Sequence, residues 1–168
     1  QASGTNFGNV RRQGRPVFEI PLANRAREVW RRMPELLGTD CEFTPAGHLR
    51  ICYRDRPDAL QRFHQYAADV RPLGLELEIL EGAALRQRFP FFGDEVLAGS
   101  LSPLDGHANP RLVSPAFARA AVRAGVTLRE NAGVESATHD GRDFEVVTRD
   151  GHRHRAPALL LTAGAWSS

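Results

Sequence analysis

A chain of 168 residues, 42% hydrophobic and 25% charged, has the composition of one ordinary globular domain or a piece of a larger one, which excludes disordered, collagen-like and coiled-coil chains. Its 22 basic residues stand against 20 acidic ones, a formal charge of +2, too balanced for bulk-charge binding of a polyanion, so nucleic acid is not the expected partner. The longest apolar run, Ala156 to Ala165, falls well short of the roughly 20 residues of a membrane span, so a soluble, cytoplasmic protein is expected.

Ser3 to Gly14 is rich in Gly, Ser, Thr and Asn without hydrophobic periodicity and reads as a loop. Leu22, Ala23, Ala26, Val29, Trp30, Met33, Leu36 and Leu37 then recur at helical spacing, an amphipathic helix ending at Gly38 with Pro34 kinking or shortening its last turn. Glu42 to Arg54 reads as two extended pieces around Pro45-Ala46-Gly47, a hairpin or a strand bend. Asp55 to Arg71 reads as a helix with Pro57 in its first turn and Leu60, Phe63, His64, Ala67 and Val70 as its buried stripe. Leu75 to Leu80 is a half-exposed strand, Glu81 to Phe89 a short helix stopped by Pro90, and Val96 to Leu101 a further strand.

Leu104 to Pro110 is turn chemistry leading into a helix that runs to Gly125, with Asn109 as cap and Pro110 at the first helical position. Val126 to Leu128 and Val134 to Ala137 read as short strands, and Phe144 to Arg155 as a hairpin around Asp150-Gly151. Leu159 to Thr162 reads as a fully buried strand of the kind found inside a parallel sheet. The organisation is α/β. A buried strand followed at once by a glycine turn, with Gln1-Ala2-Ser3-Gly4 at the other end, reads as an internal segment of a longer polypeptide.

Lysine is absent, which removes Schiff-base and P-loop lysine chemistry from this segment. Cys41 and Cys52 fall in what reads as one strand pair; a disulfide stays open, and two small buried thiols in a reducing compartment are the favoured reading. His107 beside Asp105 suggests an acid–base pair, but turn formation and capping explain that segment. His152 and His154 share a strand face without enough ligands for a metal, so no structural metal is expected. No Gly-x-Ser-x-Gly elbow and no Cys-x-x-Cys are present, so hydrolase and thiol redox readings lack local support.

The opening ASGTNFGNVRRQGR, the DGHANP turn with its Ala-rich helix, the AGVTLRENAGVES segment and the closing LLLTAGAWS together resemble the middle of FAD-dependent amino acid and amine oxidoreductases, the family of D-amino acid oxidase, glycine oxidase and the sarcosine oxidase beta subunit. The resemblance implies a fragment of a two-domain FAD-binding fold of the glutathione-reductase type, with part of a mixed-sheet substrate domain. Residues 1–44 and 104–168 would belong to the FAD-binding domain and 45–103 to the substrate domain. FAD contact falls by resemblance on Ser3, Gly4, Thr5, Asn6, Gly8, Asn9 and Val10, whose small side chains and backbone amides suit a pyrophosphate. Val134 would meet the adenine, and Ala163-Gly164-Ala165 would form a turn where backbone and cofactor approach closely. A Gly-x-Gly-x-x-Gly motif and the acidic residue that holds the ribose are missing and would precede Gln1 in the family, so the isolated segment is expected to bind FAD poorly and to be inactive.

The family's chemistry is oxidation of a carbon–nitrogen bond by hydride transfer to the flavin, with oxygen or another electron acceptor completing the cycle. A substrate carboxylate calls for an Arg, and Arg11 matches a basic residue beside the flavin in some members, with Arg12 and Arg15 as neighbouring alternatives. His48 would lie on a substrate-domain strand able to face the active site; a polar outward residue is the plainer reading of a lone strand histidine. Glycine, sarcosine, a D-amino acid or an opine are all compatible substrates, and partner subunits are compatible too. The competing reading is a non-catalytic flavoprotein remnant, or a binding or assembly module built on the Arg11 to Arg15 loop, which has only Phe7 nearby as a stacking aromatic.

Overall fold

The computed structural model of the chain describes residues 2–56 and 58–166, without the side chains of Ala2 and Trp166. Pro57, expected in the first turn of a helix, lies outside the described residues. The chain divides into two compact units, Gln1–Val126 and Thr127–Ser168.

In the first unit the opening loop leads into β1 (Asn9–Val10), then through a single 3-10 turn into α1 (Ile20–Arg31). The helix expected to run to Gly38 is interrupted at Arg32, because Pro34 has no N–H to continue the ladder, and it resumes as α2 (Met33–Leu37). Gly38 ends it in the left-handed conformation with φ 76°. Cys41 and Glu42 then both take positive φ, 54° and 57°, in a tight reversal. Here Asp40 Oδ1 accepts from Glu42 N and Asn109 N donates to Cys41 O, both at 2.9 Å.

The Pro45-Ala46-Gly47 segment is a bend rather than a hairpin. Thr44 bridges to His107, whereas β2 (His48–Tyr53) pairs with a different strand. α3 (Asp58–Val70), β3 (Glu78–Glu81), α4 (Gly82–Arg88) and β4 (Val96–Ser102) follow. β4 lies between β2 and β3 in an antiparallel three-stranded sheet. Alternation along the strands feeds both faces. Leu49, Ile51 and Leu101 pack with Leu80, Leu85 and Val96, and Cys52 and Ala98 pack with Phe63 of α3. His64 does not join the buried stripe of α3; it is exposed and lies 3.0 Å from Glu81.

β5 (Gly106–His107) pairs antiparallel with β1, and α5 (Pro110–Arg123) starts as expected, Asn109 Oδ1 accepting from Arg111 N at 3.1 Å. Only Ala116 of its apolar stripe is fully buried, in a cluster with Met33, Leu37 and Cys41. The two cysteines therefore belong to separate clusters and are free thiols, not members of one strand pair.

The second unit is an antiparallel meander of β6 (Val134–His139), β7 (Phe144–Thr148) and β8 (Arg153–Ala156), with the expected hairpin at Asp150-Gly151. Leu159 to Thr162 is not a buried strand. It has no regular structure, and Leu160 and Leu161 are 84% and 67% exposed. An apolar strand is held by neighbours on both sides, and the described ladders of this unit are only those of the meander. Val126 to Leu128 is likewise exposed and irregular.

One contact fixes where the chain leaves and returns. A Cβ at Gly106 would lie 2.0 Å from Thr44 O, the oxygen that accepts from His107 N. Gly106→Ala is expected to lose about 3 kcal/mol by separating these backbones. Urea denaturation measures it, and an unchanged midpoint would mean that the crossing is loose.

Candidate functional site

The opening loop is held by its own side chains. Asn6 donates from Nδ2 to Ser3 O at 2.9 Å and accepts at Oδ1 from Gly8 N at 2.8 Å, a local turn that compact polar side chains favour. Gly8, with φ 71°, accepts at its carbonyl from Ala108 N, and a Cβ there would lie 2.1 Å from Ala108 O, so only glycine fits. Ser3, Asn6, Gly8, Asn9 and Val10 line a cavity of about 110 Å³ together with the apolar residues Trp30, Ala108, Pro110 and Val113. No carboxylate occurs among the first 18 residues, which carry Arg11, Arg12 and Arg15. Small residues, hydroxyls and amides beside basic groups are a donor set that suits an anionic, partly aromatic group, so these residues fit one edge of a dinucleotide.

After β1 the chain is pinned by Asp105, buried in the turn before β5. Its Oδ2 accepts from Arg12 N at 2.8 Å and Gln13 N at 3.0 Å, and its Oδ1 accepts from Arg12 Nε at 2.9 Å. Arg12 also donates to Asn24 Oδ1, and Asn24 in turn donates to Leu73 O, which ties α1 to the turn after α3. Tyr66 of α3 donates to Arg15 O at 2.8 Å and accepts from Gly14 N at 3.1 Å. Burial raises its pKa.

Arg11 and His48, the two candidates for the chemistry, are brought together through Gln13. Arg11 Nη1 donates to Gln13 O at 2.6 Å, and Gln13 Nε2 lies 3.1 Å from His48 Nδ1. Gln13 is fully buried and His48 half-buried. Arg50 reaches the same place: its Nη1 and that of Arg11 lie 3.1 and 3.2 Å from where a Cβ of Gly14 would stand. Burial, with the charges of Arg11 and Arg50, pushes the His48 pKa below its ordinary value against the opposing pull of Asp105. On the same sheet face Ser102, paired in register with His48, has a buried hydroxyl without a hydrogen-bond partner among the described residues.

Val134 and Ala163-Gly164-Ala165 lie in the second unit. Val134 is exposed at the start of β6, beside a bulge that ends at Ser136, and lines a groove of about 370 Å³ with Phe144, Val146, His154 and Leu159. Gly164 opens a 3-10 turn with φ 60°. Gln13, Ser100 and Asp105 are the site residues that sequence reasoning missed. Ser100 and Asp105 carry one sequence signal, small polar residues inside an otherwise apolar strand and the turn after it, whereas Gln13 in its polar loop carries none. Among the described residues no group of three or more His, Cys, Asp or Glu is arranged to hold a metal ion.

Residues 1–168 match the family model described as FAD dependent oxidoreductase. The chain belongs to this family. It is 28% identical over 149 residues to 4-methylaminobutanoate oxidase (formaldehyde-forming) of Paenarthrobacter nicotinovorans, covering 87% of this chain and 18% of that protein. It is 29% identical over 143 residues to the mitochondrial dimethylglycine dehydrogenase of Rattus norvegicus, covering 83% and 16%. L-amino acid deaminase from Proteus myxofaciens superposes on 98% of the chain with a TM-score of 0.86 at 22% identity, using 38% of its own length. The chain thus has the fold of part of an FAD-dependent oxidoreductase and spans less than a fifth of the curated relatives it matches. No helix among the described residues is long and apolar enough to cross a membrane.

Asp105→Ala leaves the Arg12 guanidinium and two backbone amides without their buried acceptor. An expected loss of about 3–5 kcal/mol follows, measured by chemical denaturation. A loss below 1 kcal/mol would show that the pair is not the anchor of this loop.

Proposed function

We propose that this chain forms part of an enzyme that oxidises the carbon–nitrogen bond of a small amino acid or amine, with FAD as cofactor. The observation that carries the reading is the carboxylate-free loop from Ser3 to Val10, clamped at Gly8 and Asp105 beside apolar residues. Ser3, Gly4, Thr5, Asn6, Gly8, Asn9 and Val10 would hold FAD, with Val134 against its adenine and Ala163-Gly164-Ala165 as a close-approach turn. When bound, the flavin supplies the acceptor for the hydride equivalent leaving the carbon next to nitrogen.

The residues of this chain have the remaining tasks. Arg11, held at its Nη1 by Gln13 O, offers its remaining donors to a substrate carboxylate, and His48 stands beside it on β2. Residues 45–103 would form part of the substrate domain, with 1–44 and 104–168 in the FAD domain. The pairing of β1 with β5 and of Thr44 with His107 supports that division, because it brings the two ends of residues 45–103 to neighbouring points within the first unit. The names of the two curated relatives favour a substrate with an N-methyl group and a carboxylate, reoxidation of the flavin falling to oxygen or another acceptor.

Purification of the full-length protein that contains this segment is expected to give a flavin absorption spectrum and turnover with N-methylated amino acids. Arg11→Met is expected to raise KM for such a substrate about 10- to 100-fold, the loss of one charge-assisted contact, with FAD retained. An unchanged KM would remove Arg11 from the site, and a colourless protein that gains no flavin on reconstitution would overturn the reading.

A further inference from the structure

Gln13 is a buried amide whose orientation is fixed by its surroundings. Its Nε2 lies 2.8 Å from His48 O and 3.0 Å from Ser100 O, both of which only accept. Its Oε1 accepts from Ser100 Oγ at 2.6 Å. Turning the amide over would set an oxygen against two carbonyl oxygens, so the nitrogen must face them. That nitrogen also lies 3.1 Å from His48 Nδ1. One N–H goes to Ser100 O and the other is shared between the carbonyl and the ring nitrogen of His48, a three-centre arrangement.

An amide NH2 donates and does not accept. A proton on Nδ1 would therefore point at another donor, whether the ring were the Nδ1–H tautomer or the cation. We propose that Gln13 is a positioning residue that fixes His48 as a neutral imidazole with its proton on Nε2, making His48 a hydrogen-bond donor to an oxygen of the substrate and not a base acting through Nδ1.

The charged groups around the ring agree with a neutral state. Arg11 from the loop after β1 and Arg50 from β2 itself both oppose a positive imidazole, and the carboxylate of Asp105, which favours one, is already engaged by Arg12 and Gln13. The lowered pKa means that a proton enters the folded ring only at more acid pH than in the unfolded chain. His48 is then neutral at pH 7, and its contribution to stability is lost as pH falls from about 6.5 through the folded value. The tautomer follows from the hydrogen bonds alone; the donor role rests on the proposed active site.

The test is 15N-histidine NMR of the full-length protein, with the His48 signals assigned by their loss in His48→Asn. The expected result is an Nε2–H ring without the minor Nδ1–H form that a free imidazole shows, titrating below about 6.5. In Gln13→Met the Nδ1–H form should appear and the midpoint should rise. A purely structural Gln13 would lower the melting temperature and leave both unchanged, which would overturn the proposal. If Gln13→Met does not fold, the native protein still decides, because a populated Nδ1–H form there contradicts the inference. His48→Phe separates the two halves. A fall in kcat/KM supports the donor role, whereas an unchanged kcat/KM with the tautomer as expected overturns that role and leaves the positioning by Gln13 standing.

Discussion

Asp105 sets the path of the chain at the point where three segments meet. Its carboxylate takes two backbone amides and one guanidinium N–H from Arg12 and Gln13, while its carbonyl accepts from Gly47 N at 2.8 Å, just before β2 begins. A buried carboxylate is tolerable only when donors replace the water it has lost, and the three donors here belong to two consecutive residues. Residues 12 and 13 therefore have one position, and β1 before them and the basic loop after them follow from it.

The glycines on either side work under the same constraint. Gly8 and Gly106 are the places where backbone meets backbone, against Ala108 and Thr44, at separations that leave no room for a side chain. The reversal at Cys41 and Glu42 holds two non-glycine residues in the left-handed region, which costs of order 1–3 kcal/mol each and persists only when the surroundings enforce it. Here Asn109 enforces it twice, through its backbone N–H to Cys41 O and its side-chain amide to Glu42 Oε2 at 3.0 Å. The residue that caps α5 thus also fixes the exit from α2. Loop, crossing and helix start form one connected set of polar contacts, with Arg11 and His48 at its edge.

Much of this was legible in the sequence where the governing physics is local. Asn109-Pro110 announces a helix start and Pro34 with Gly38 a helix end, because capping and the missing proline N–H act within one turn. The meander's hairpin at Asp150-Gly151 is legible for the same reason. Leu159 to Thr162 departs from its expected buried strand because an apolar run reports a tendency to be buried, while burial itself depends on neighbours elsewhere in the chain. Cys41 and Cys52 are the free buried thiols their residue type favours, but residue type does not say which of two cores a small thiol joins, so their expected place in one strand pair fails. At the site, Arg11 and His48 stand out by their chemistry. Gln13 does not, since an uncharged amide in a polar loop gives no hint of the ring nitrogen it meets 35 residues away. Asp105 read as a turn residue, which it is; its burial appears only once the loop from Arg12 closes over it.

The most direct measurement is a crystal structure of the full-length protein with FAD bound. Ser3 to Val10 should contact the cofactor, with Asp105 still bonded to Arg12 and Gln13 and with Arg11 and His48 on the substrate side of the flavin ring. FAD seated away from this loop, or an Asp105 released from Arg12 when the cofactor is present, would contradict the role assigned to the loop and its anchor.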